Sequence, residues 1–230
     1  MNSIQGSGGG KSGGGGRTPV ESPNTLQTLS TARVLDIVSE GEIFGLVDGL
    51  KSVYLDDVPI QNADDSYNFS NILVEGSNGA PDQEPLSGFP DVQTPVSVNV
   101  KVTADTPVVR SVNDIEADAA LVTIRFPSLY NVDTSNGDTR GTTVQFAIDV
   151  QPDGGLFSEV LNQTLTDKTT SPAELSWRIN LSGTGPWLVR VRRITPDSEA
   201  GTHVNDLYWS VMSVVRDHRL IYPNTAVIGV

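Results

Sequence analysis

The segment GSGGGKSGGGG at residues 6–16 contains Gly-Lys-Ser at positions 10–12, the residue types with which a phosphate loop holds a nucleotide. Such a loop requires a further glycine five positions before the glycine of that triplet, and the residue there is Gln5. The loop must also open a helix, whereas the glycines at 13–16 are poor residues for beginning one. The spacing argues against a nucleotide site and favours a flexible arm, predicted over residues 1–32.

The composition of this arm also predicts when it becomes ordered. A segment rich in Gly and Ser cannot bury enough apolar area to offset the backbone entropy that ordering costs. We therefore expect the arm to be disordered in the free chain. From about Thr18 onward we expect it to become ordered only against another subunit.

Two pairs of adjacent carboxylates, Asp56-Asp57 and Asp64-Asp65, are of the residue type that general acid catalysis and cation binding both use. A general acid needs a carboxyl group with a raised pKa in an apolar pocket. A calcium loop needs oxygen ligands at regular spacing around a glycine. Neither context surrounds these pairs, so both are predicted to lie in solvated turns. No catalytic, cofactor-binding or metal-binding residue is assigned.

The scarcity of metal-binding side chains supports the same interpretation. The 230 residues include no cysteine and two histidines, His203 and His218, which excludes disulfides and disfavours a zinc site. We therefore expect a protein that is not an enzyme and has no cofactor. No apolar run approaches the ~20 residues that span a bilayer, and the N-terminus lacks the apolar core of a signal peptide.

The net charge of −13 is concentrated in one part of the chain. Residues 33–105 contain 3 basic and 13 acidic side chains, whereas residues 106–200 contain 8 and 12. An acidic surface repels phosphate backbones, because nucleic-acid binding depends on Lys and Arg displacing counterions. Stable nucleic-acid binding is therefore not expected, although nucleic acid could slide past such a surface without adhering.

Arg190, Arg192 and Arg193 form the one dense basic cluster of the sequence. Their long side chains could cover a solvated strand face, with the charged ends in water. Alternatively, they could bind carboxylates of a neighbouring chain bidentately. The cluster is therefore a candidate inter-subunit contact, and both interpretations stay open.

Period-two alternation of apolar and polar residues is the main pattern beyond the arm, and it is typical of half-buried antiparallel strands. Trp177 and Trp187 occur in phase with aliphatic residues, so they are expected in the core rather than as sugar-binding platforms. Turn clusters separate the alternating segments, which predicts an immunoglobulin- or fibronectin-like β-sandwich over 106–200. The segments are VSVNVKV (96–102), TVQFAIDV (143–150), ELSWRINL (174–181) and PWLVRVRR (186–193).

The flanking segments predict a second, discontinuous unit of this all-β protein. Residues 43–60 are interpreted as two short strands around Asp48-Gly49, followed by a hairpin that turns at Asp56-Asp57. Residues 76–95 are predicted to form a long loop. Residues 207–230 are more apolar than one sandwich edge could bury, so 33–105 and 201–230 are expected to pair as a hub domain into which the sandwich is inserted. The apolar ending AVIGV suggests the front part of a longer protein.

Five segments together resemble the N-terminal part of the tail tip protein J family of phage lambda and related siphophages. The most specific of them are the first and the last, and the resemblance extends from about residue 18 to the end of the chain. The segments are SEGEIFGLVDGLKSVYLDDVPI (39–60), DTPVVRSV (105–112), KTTSPAELSW (168–177), RRITPDS (192–198) and YPNTAVIGV (222–230).

The resemblance implies a structural virion protein at the tail tip, assembled in the cytoplasm of the host bacterium. It implies a homotrimeric central tail hub that contacts the distal tail protein ring, other tail tip proteins and the tape measure protein. Contact with the host receptor would occur through further C-terminal regions. The alternative is a glycan- or receptor-binding sandwich, which would require Trp177 or Trp187 to be exposed in a groove.

Overall fold

The computed structural model describes residues 17–28, 31–86, 92–217 and 221–230. The triplet at 10–12 and His218 lie outside these residues. The all-β prediction is confirmed, since the described part of the chain forms sixteen strands and one 3-10 helix, Gly49–Ser52. The strands are β1 Leu35–Glu40, β2 Tyr54–Leu55, β3 Val58–Pro59, β4 Glu75–Asn78, β5 Val92–Lys101, β6 Val108–Val112, β7 Ala119–Phe126, β8 Tyr130–Val132, β9 Thr139–Arg140, β10 Thr142–Gln151, β11 Ser158–Asp167, β12 Ala173–Asn180, β13 Trp187–Arg193, β14 His203–Val204, β15 Tyr208–Arg216 and β16 Thr225–Gly229.

Two four-stranded antiparallel sheets form a β-sandwich, one in the order β11-β10-β13-β6 and the other in the order β12-β7-β15-β5. Because successive side chains of a strand point to opposite faces, the alternation in β10 places one set of residues in the core. Val144, Phe146 and Ile148 are each 0% exposed. Phe146 meets Trp177 of the opposite sheet edge-on, with ring centroids 5.1 Å apart.

The predicted sandwich bounds of 106–200 are too narrow. Strand β15 lies between β7 and β5 and is hydrogen-bonded to both, so the sandwich runs from β5 to β15. Trp209 is 0% exposed and Met212 2% exposed within its core. The apolar content of 207–217 therefore reflects a central strand of the sandwich. The predicted pairing of this segment with 33–105 occurs through β5, but within the sandwich and not in a separate domain.

Strand β16 joins a different sheet, which contains segments from before the sandwich. It pairs antiparallel with β1 on one side and with β4 on the other. Reciprocal backbone hydrogen bonds between Val34 and Val230, both 2.9 Å, extend the pairing beyond β1 and β16. The sandwich therefore lies between β4 and β16 in sequence, while the division into a hub domain and an inserted domain stays a prediction.

The hairpin that joins β2 to β3 turns at Asp56-Asp57, as predicted. Asp56 has a φ of 48° and Asp57 a φ of 65°, the left-handed conformation that a type I′ hairpin turn requires at both central positions. The expected strands around residue 48 are wrong, since a turn and the 3-10 helix occupy this region. The predicted loop over 76–95 is too long, because β4 includes 76–78 and β5 begins at residue 92.

Residues 17–28, called the strap below, lie along the sandwich, which corrects the prediction of a flexible arm through residue 32. The Ser22 N–H donates to the Thr139 carbonyl and the Thr139 N–H donates to the Val20 carbonyl, each at 2.9 Å. These bonds lie within one chain. Ordering of the strap therefore does not require another subunit.

The second half of the strap is held by both backbone and side-chain contacts. The N–H groups of Thr25 and Leu26 donate to the Lys168 carbonyl at 2.9 and 3.0 Å. The Lys168 ammonium donates to Glu21 Oε1 at 2.7 Å and to Asn24 Oδ1 at 3.0 Å. Leu26 is 7% exposed and belongs to the sandwich core. Burial of one leucine and satisfaction of one buried lysine stabilise a segment that its composition alone predicts to be disordered.

Candidate functional site

Strand β13 separates the three arginines of the predicted basic cluster. Side chains alternate along the strand, and Val189 and Val191 point into the core with 0% exposure. Arg193 continues this inward series, whereas Arg190 and Arg192 lie on the outer face of the sheet. The three arginines are close in sequence and were predicted to form one cluster, although their spacing places them on two faces of the strand.

Arg190 and Arg192 bind a carboxylate of their own chain. Asp149, on the adjacent strand β10, is 1% exposed. Its Oδ2 accepts from Arg190 Nε at 2.7 Å and from Arg192 Nε at 2.6 Å, and its Oδ1 accepts from Arg192 Nη2 at 2.8 Å. Burial acts to raise the pKa of the Asp149 carboxyl, but the hydrogen bonds from Arg192 and Arg190 outweigh it and hold this pKa below its ordinary value.

Two further contacts complete this outer-face cluster. Arg192 Nη2 also lies 2.9 Å from Glu159 Oε2 on β11, and the Arg190 guanidinium lies 4.0 Å from the ring centroid of Phe157. The bidentate carboxylate partner expected from another chain is therefore supplied within this chain. A contact of Arg190 and Arg192 with a neighbouring subunit stays a prediction.

Arg193 is not available at the surface, which corrects its place among the candidate contacts. Its side chain is 0% exposed, and its guanidinium donates to the carbonyls of Thr195 at 2.8 Å and Asn205 at 2.7 Å. Its Nε also lies 3.1 Å from Asp197 Oδ1. Burial lowers the pKa of Arg193, and the surrounding oxygens explain why the charged group is tolerated there.

The paired aspartates of the first segment lie in exposed turns, as predicted. Asp64 Oδ1 accepts from the Ser66 N–H at 3.2 Å and from the Ser66 hydroxyl at 2.6 Å. Asp65 forms an ion pair with Lys51 at 2.7 Å. Within the described residues, no group of three or more His, Asp or Glu side chains could hold a metal ion. In the same part of the chain, no helix is long and apolar enough to cross a membrane.

Exposed apolar side chains are concentrated before the sandwich, a feature that the sequence analysis missed. Of the nineteen exposed large apolar residues in the described part of the chain, ten lie between residues 34 and 73. Phe44 is 110% exposed, Val47 93% and Ile37 70%. Concentrations of this kind mark interaction surfaces. The sequence alone could not show this exposure. An apolar residue looks the same in the sequence whether its own chain or another chain buries it.

Residues 92–218 match the family model described as the FNIII-A domain of tip attachment protein J. The chain belongs to this family. The match covers the sandwich from its first strand, β5, to its last, β15, so it supports the observed bounds of the sandwich rather than the predicted 106–200.

Two curated phage proteins, both named tip attachment protein J, are similar to the chain over most of its length. The protein of Escherichia phage SECphi4 is 39% identical over 229 residues, which are 96% of this chain and 20% of that protein. The protein of Escherichia phage SECphi27 is 32% identical over 213 residues, 92% of this chain and 18% of that protein. The chain thus spans about a fifth of the length of these relatives.

Similarity to solved structures is weak. A crystal structure from Sulfurospirillum deleyianum aligns with 54% of this chain and 98% of its own, at 11% identity and a TM-score of 0.30. The stem and receptor-binding domain of spike protein P1 from bacteriophage PM2 aligns with 61% of this chain and 65% of its own, at 11% identity and a TM-score of 0.27. Similarities of this size carry no argument about this chain.

Proposed function

We propose that this chain forms part of the central hub of a siphophage tail tip, as a homotrimer that connects the distal tail ring to the host-recognition apparatus. Membership in the tip attachment protein J family carries the proposal. The more general conclusion, that the chain is a structural protein of a phage tail, is based on the names of the similar proteins. The hub position and the trimer go beyond those names.

The partners we propose are the distal tail protein, other tail tip proteins and the tape measure protein, in a virion assembled in the bacterial cytoplasm. The exposed apolar residues between 34 and 73 support a protein that is covered by neighbours. Contact with the host receptor would fall to regions outside these 230 residues, since the relatives are about five times as long.

The charge of the chain supports a hub through which DNA passes. Its net charge is −13, and an acidic wall repels phosphates instead of binding them. DNA would therefore move past such a ring without adhering. This role requires no catalytic group, and the outer-face arginines that could bind phosphate are already bound to Asp149.

A glycan-binding sandwich is not favoured. Trp187 is 3% exposed, and its indole N–H donates to the Ser182 carbonyl at 2.9 Å. Trp177 is half-buried, and its ring packs edge-on against Phe146. Neither indole is fully exposed, as a sugar-stacking platform in a groove would require.

Native mass spectrometry of the full-length protein tests the trimer, and immunogold labelling of purified particles tests its position. We expect a trimer and label at the tail tip alone. A monomeric protein together with label along the tail tube, or the absence of label on particles, would contradict the proposal. Soluble glycan arrays probed with the same protein test the alternative, which gains support from saturable binding that is lost in Trp177→Ala.

A further inference from the structure

One short loop displays two large apolar side chains that contact almost nothing in the chain. Phe44 is 110% exposed and Val47 is 93% exposed, in the loop that joins β1 to the 3-10 helix. Fully exposed phenylalanine on a soluble domain is costly in water, and aromatic side chains that insert into a partner's pocket contribute much of the binding energy at interfaces. The loop therefore has the form of an interface anchor.

The loop is fixed at both ends, so its apolar side chains are presented in a defined arrangement. The Ile43 N–H donates to the Asn78 carbonyl at 2.8 Å, which attaches the loop to the end of β4. At the other end, the Asp48 N–H donates to the Ser52 hydroxyl at 3.0 Å. Such a braced loop loses less conformational entropy on binding than a free one does.

Carboxylates border the apolar tip on both sides. Glu40 and Glu42 precede it and Asp48 follows it, and all three are exposed. Within the part of the chain that the structure describes, neither Glu40 nor Glu42 forms an ion pair. The nearest lysine in sequence, Lys51, is bound to Asp65 at 2.7 Å. A partner that complements this surface must therefore offer an apolar recess with basic residues at its rim.

A second copy of this chain fits that description poorly. The copy would bring a further net charge of −13. Among the described residues, every lysine and arginine except Arg33, Arg110 and Arg125 forms an ion pair within the chain. Apart from those three arginines, the described cations of a second copy would have to leave existing partners to line the rim. The complementary charges are more readily supplied by a different polypeptide.

We infer that the loop at 40–48 docks into an apolar recess, bordered by Lys and Arg, on a different polypeptide of the particle. The inference rests on the proposed function, because it requires a particle in which this chain has neighbours. It adds the surface and the chemistry of one of those neighbours. It also assigns this loop to a contact other than the one between copies of the chain.

The test uses a photoreactive residue, p-benzoylphenylalanine, in place of Phe44 in the full-length protein. The protein is made in cells that carry the phage with its own copy of the gene inactivated, and purified particles are irradiated. We expect a cross-link from position 44 to a different polypeptide, within a few residues of a Lys or Arg. The control places the same probe at Leu156, which is 87% exposed on a sandwich loop, and should not give this cross-link.

Several results would overturn the inference while the proposed function stands. These are a cross-link to another copy, a cross-link within the same chain, the same cross-link from position 156, or none from position 44 in particles that contain the protein. Absence of the protein from the particles would instead remove the proposed function. The protein content of the same particles, measured before irradiation, separates these two failures.

Two substitutions provide an independent readout. Phe44→Ala removes an anchor with no packing role in its own chain, and we expect incorporation into particles to fall roughly 30-fold, as for an interface hot spot. Glu42→Lys should also lower incorporation, because the rim then repels. Leu156→Ala is the matched control, with incorporation unchanged. Normal incorporation of both Phe44→Ala and Glu42→Lys would overturn the inference.

Discussion

Arg192 binds the carboxylate of Asp149 bidentately, with Nε 2.6 Å from Oδ2 and Nη2 2.8 Å from Oδ1. Asp149 lies directly opposite Arg190 in the pairing of β10 with β13, and Arg190 adds a third bond at 2.7 Å. A carboxylate that is 1% exposed is tolerated only when it is paired and hydrogen-bonded. The two arginines therefore have a role in stabilising this sheet, whether or not they also contact another chain.

Replacing Asp149 with Asn should lower the free energy of unfolding by about 2–4 kcal/mol. The amide keeps the shape of the carboxylate, but it leaves Arg190 without a counter-charge and Arg192 with Glu159 alone. We place the effect below that of a fully buried pair because the arginine side chains are 28% and 31% exposed and solvent screens them. Urea unfolding measures the change. Asp153→Asn, in a neighbouring turn, is the control, and an equal effect of both would contradict the prediction.

The same carboxylate predicts a loss of stability in acid. Its pKa lies below the ordinary value because the arginine hydrogen bonds outweigh the effect of burial. A carboxyl with a lowered folded pKa stabilises the fold above its unfolded pKa of about 3.9 and loses that contribution as pH falls through the folded pKa. The unfolding free energy should therefore fall more steeply below about pH 4 in the wild type than in Asp149→Asn. Parallel pH profiles of the two proteins would be inconsistent with this.

Alternation of apolar and polar residues predicts which side chains lie inside the sandwich, because it depends only on the sequence of each strand. Phe146 and Val189 are buried as their spacing indicates. The same rule places Arg193 inside, since it follows Val191 by two residues. The polar character of Arg193 led to its assignment to the surface, and its carbonyl partners lie in a loop whose path no strand pattern predicts.

The order of the strands within the sandwich could not be predicted from the sequence. Whether β15 is central or at an edge depends on where β5 and β7 lie, and the apolar sequence of β15 is the same in either case. The strap is fixed by Lys168, which is far from it in sequence. A single buried leucine, Leu26, gives no periodic signal in a polar segment. The exposure of the loop at 40–48 was not predicted, because apolar residues are ordinarily expected to be covered by their own chain.

The strap should be released by a change at Lys168. Lys168→Met keeps a side chain of similar length but removes the ammonium that binds Glu21 and Asn24. We expect faster hydrogen exchange at the Thr25 and Leu26 amides, with exchange in β10 unchanged. Lys51→Met, which removes an exposed ion pair elsewhere, is the control. Unchanged exchange in the strap of Lys168→Met would show that backbone bonds and Leu26 suffice to hold it.

The hairpin turn should be improved by glycine. Asp57 has a φ of 65°, a conformation that glycine adopts without the steric cost that other residues incur. Asp57→Gly should stabilise the hairpin by about 0.5–1 kcal/mol, and Asp57→Val should destabilise it by about 1 kcal/mol or more. Hydrogen exchange at the Ile60 amide, which donates to the Val53 carbonyl at 2.8 Å, reports the change. Faster exchange in Asp57→Gly than in the wild type would contradict it.

Charge reversal at Arg192 separates folding from assembly. Arg192 lies 2.6 Å from Asp149 and 2.9 Å from Glu159, so Arg192→Glu would place three carboxylates together, one of them buried. We expect a larger loss of unfolding free energy than in Asp149→Asn, measured by urea unfolding of the 230-residue chain. Arg178→Glu, which reverses an arginine in an exposed ion pair with Asp217, is the control and should change stability far less. If Arg192→Glu unfolded like the wild type yet failed to enter tails, the side chain would instead act in a contact with a neighbouring subunit.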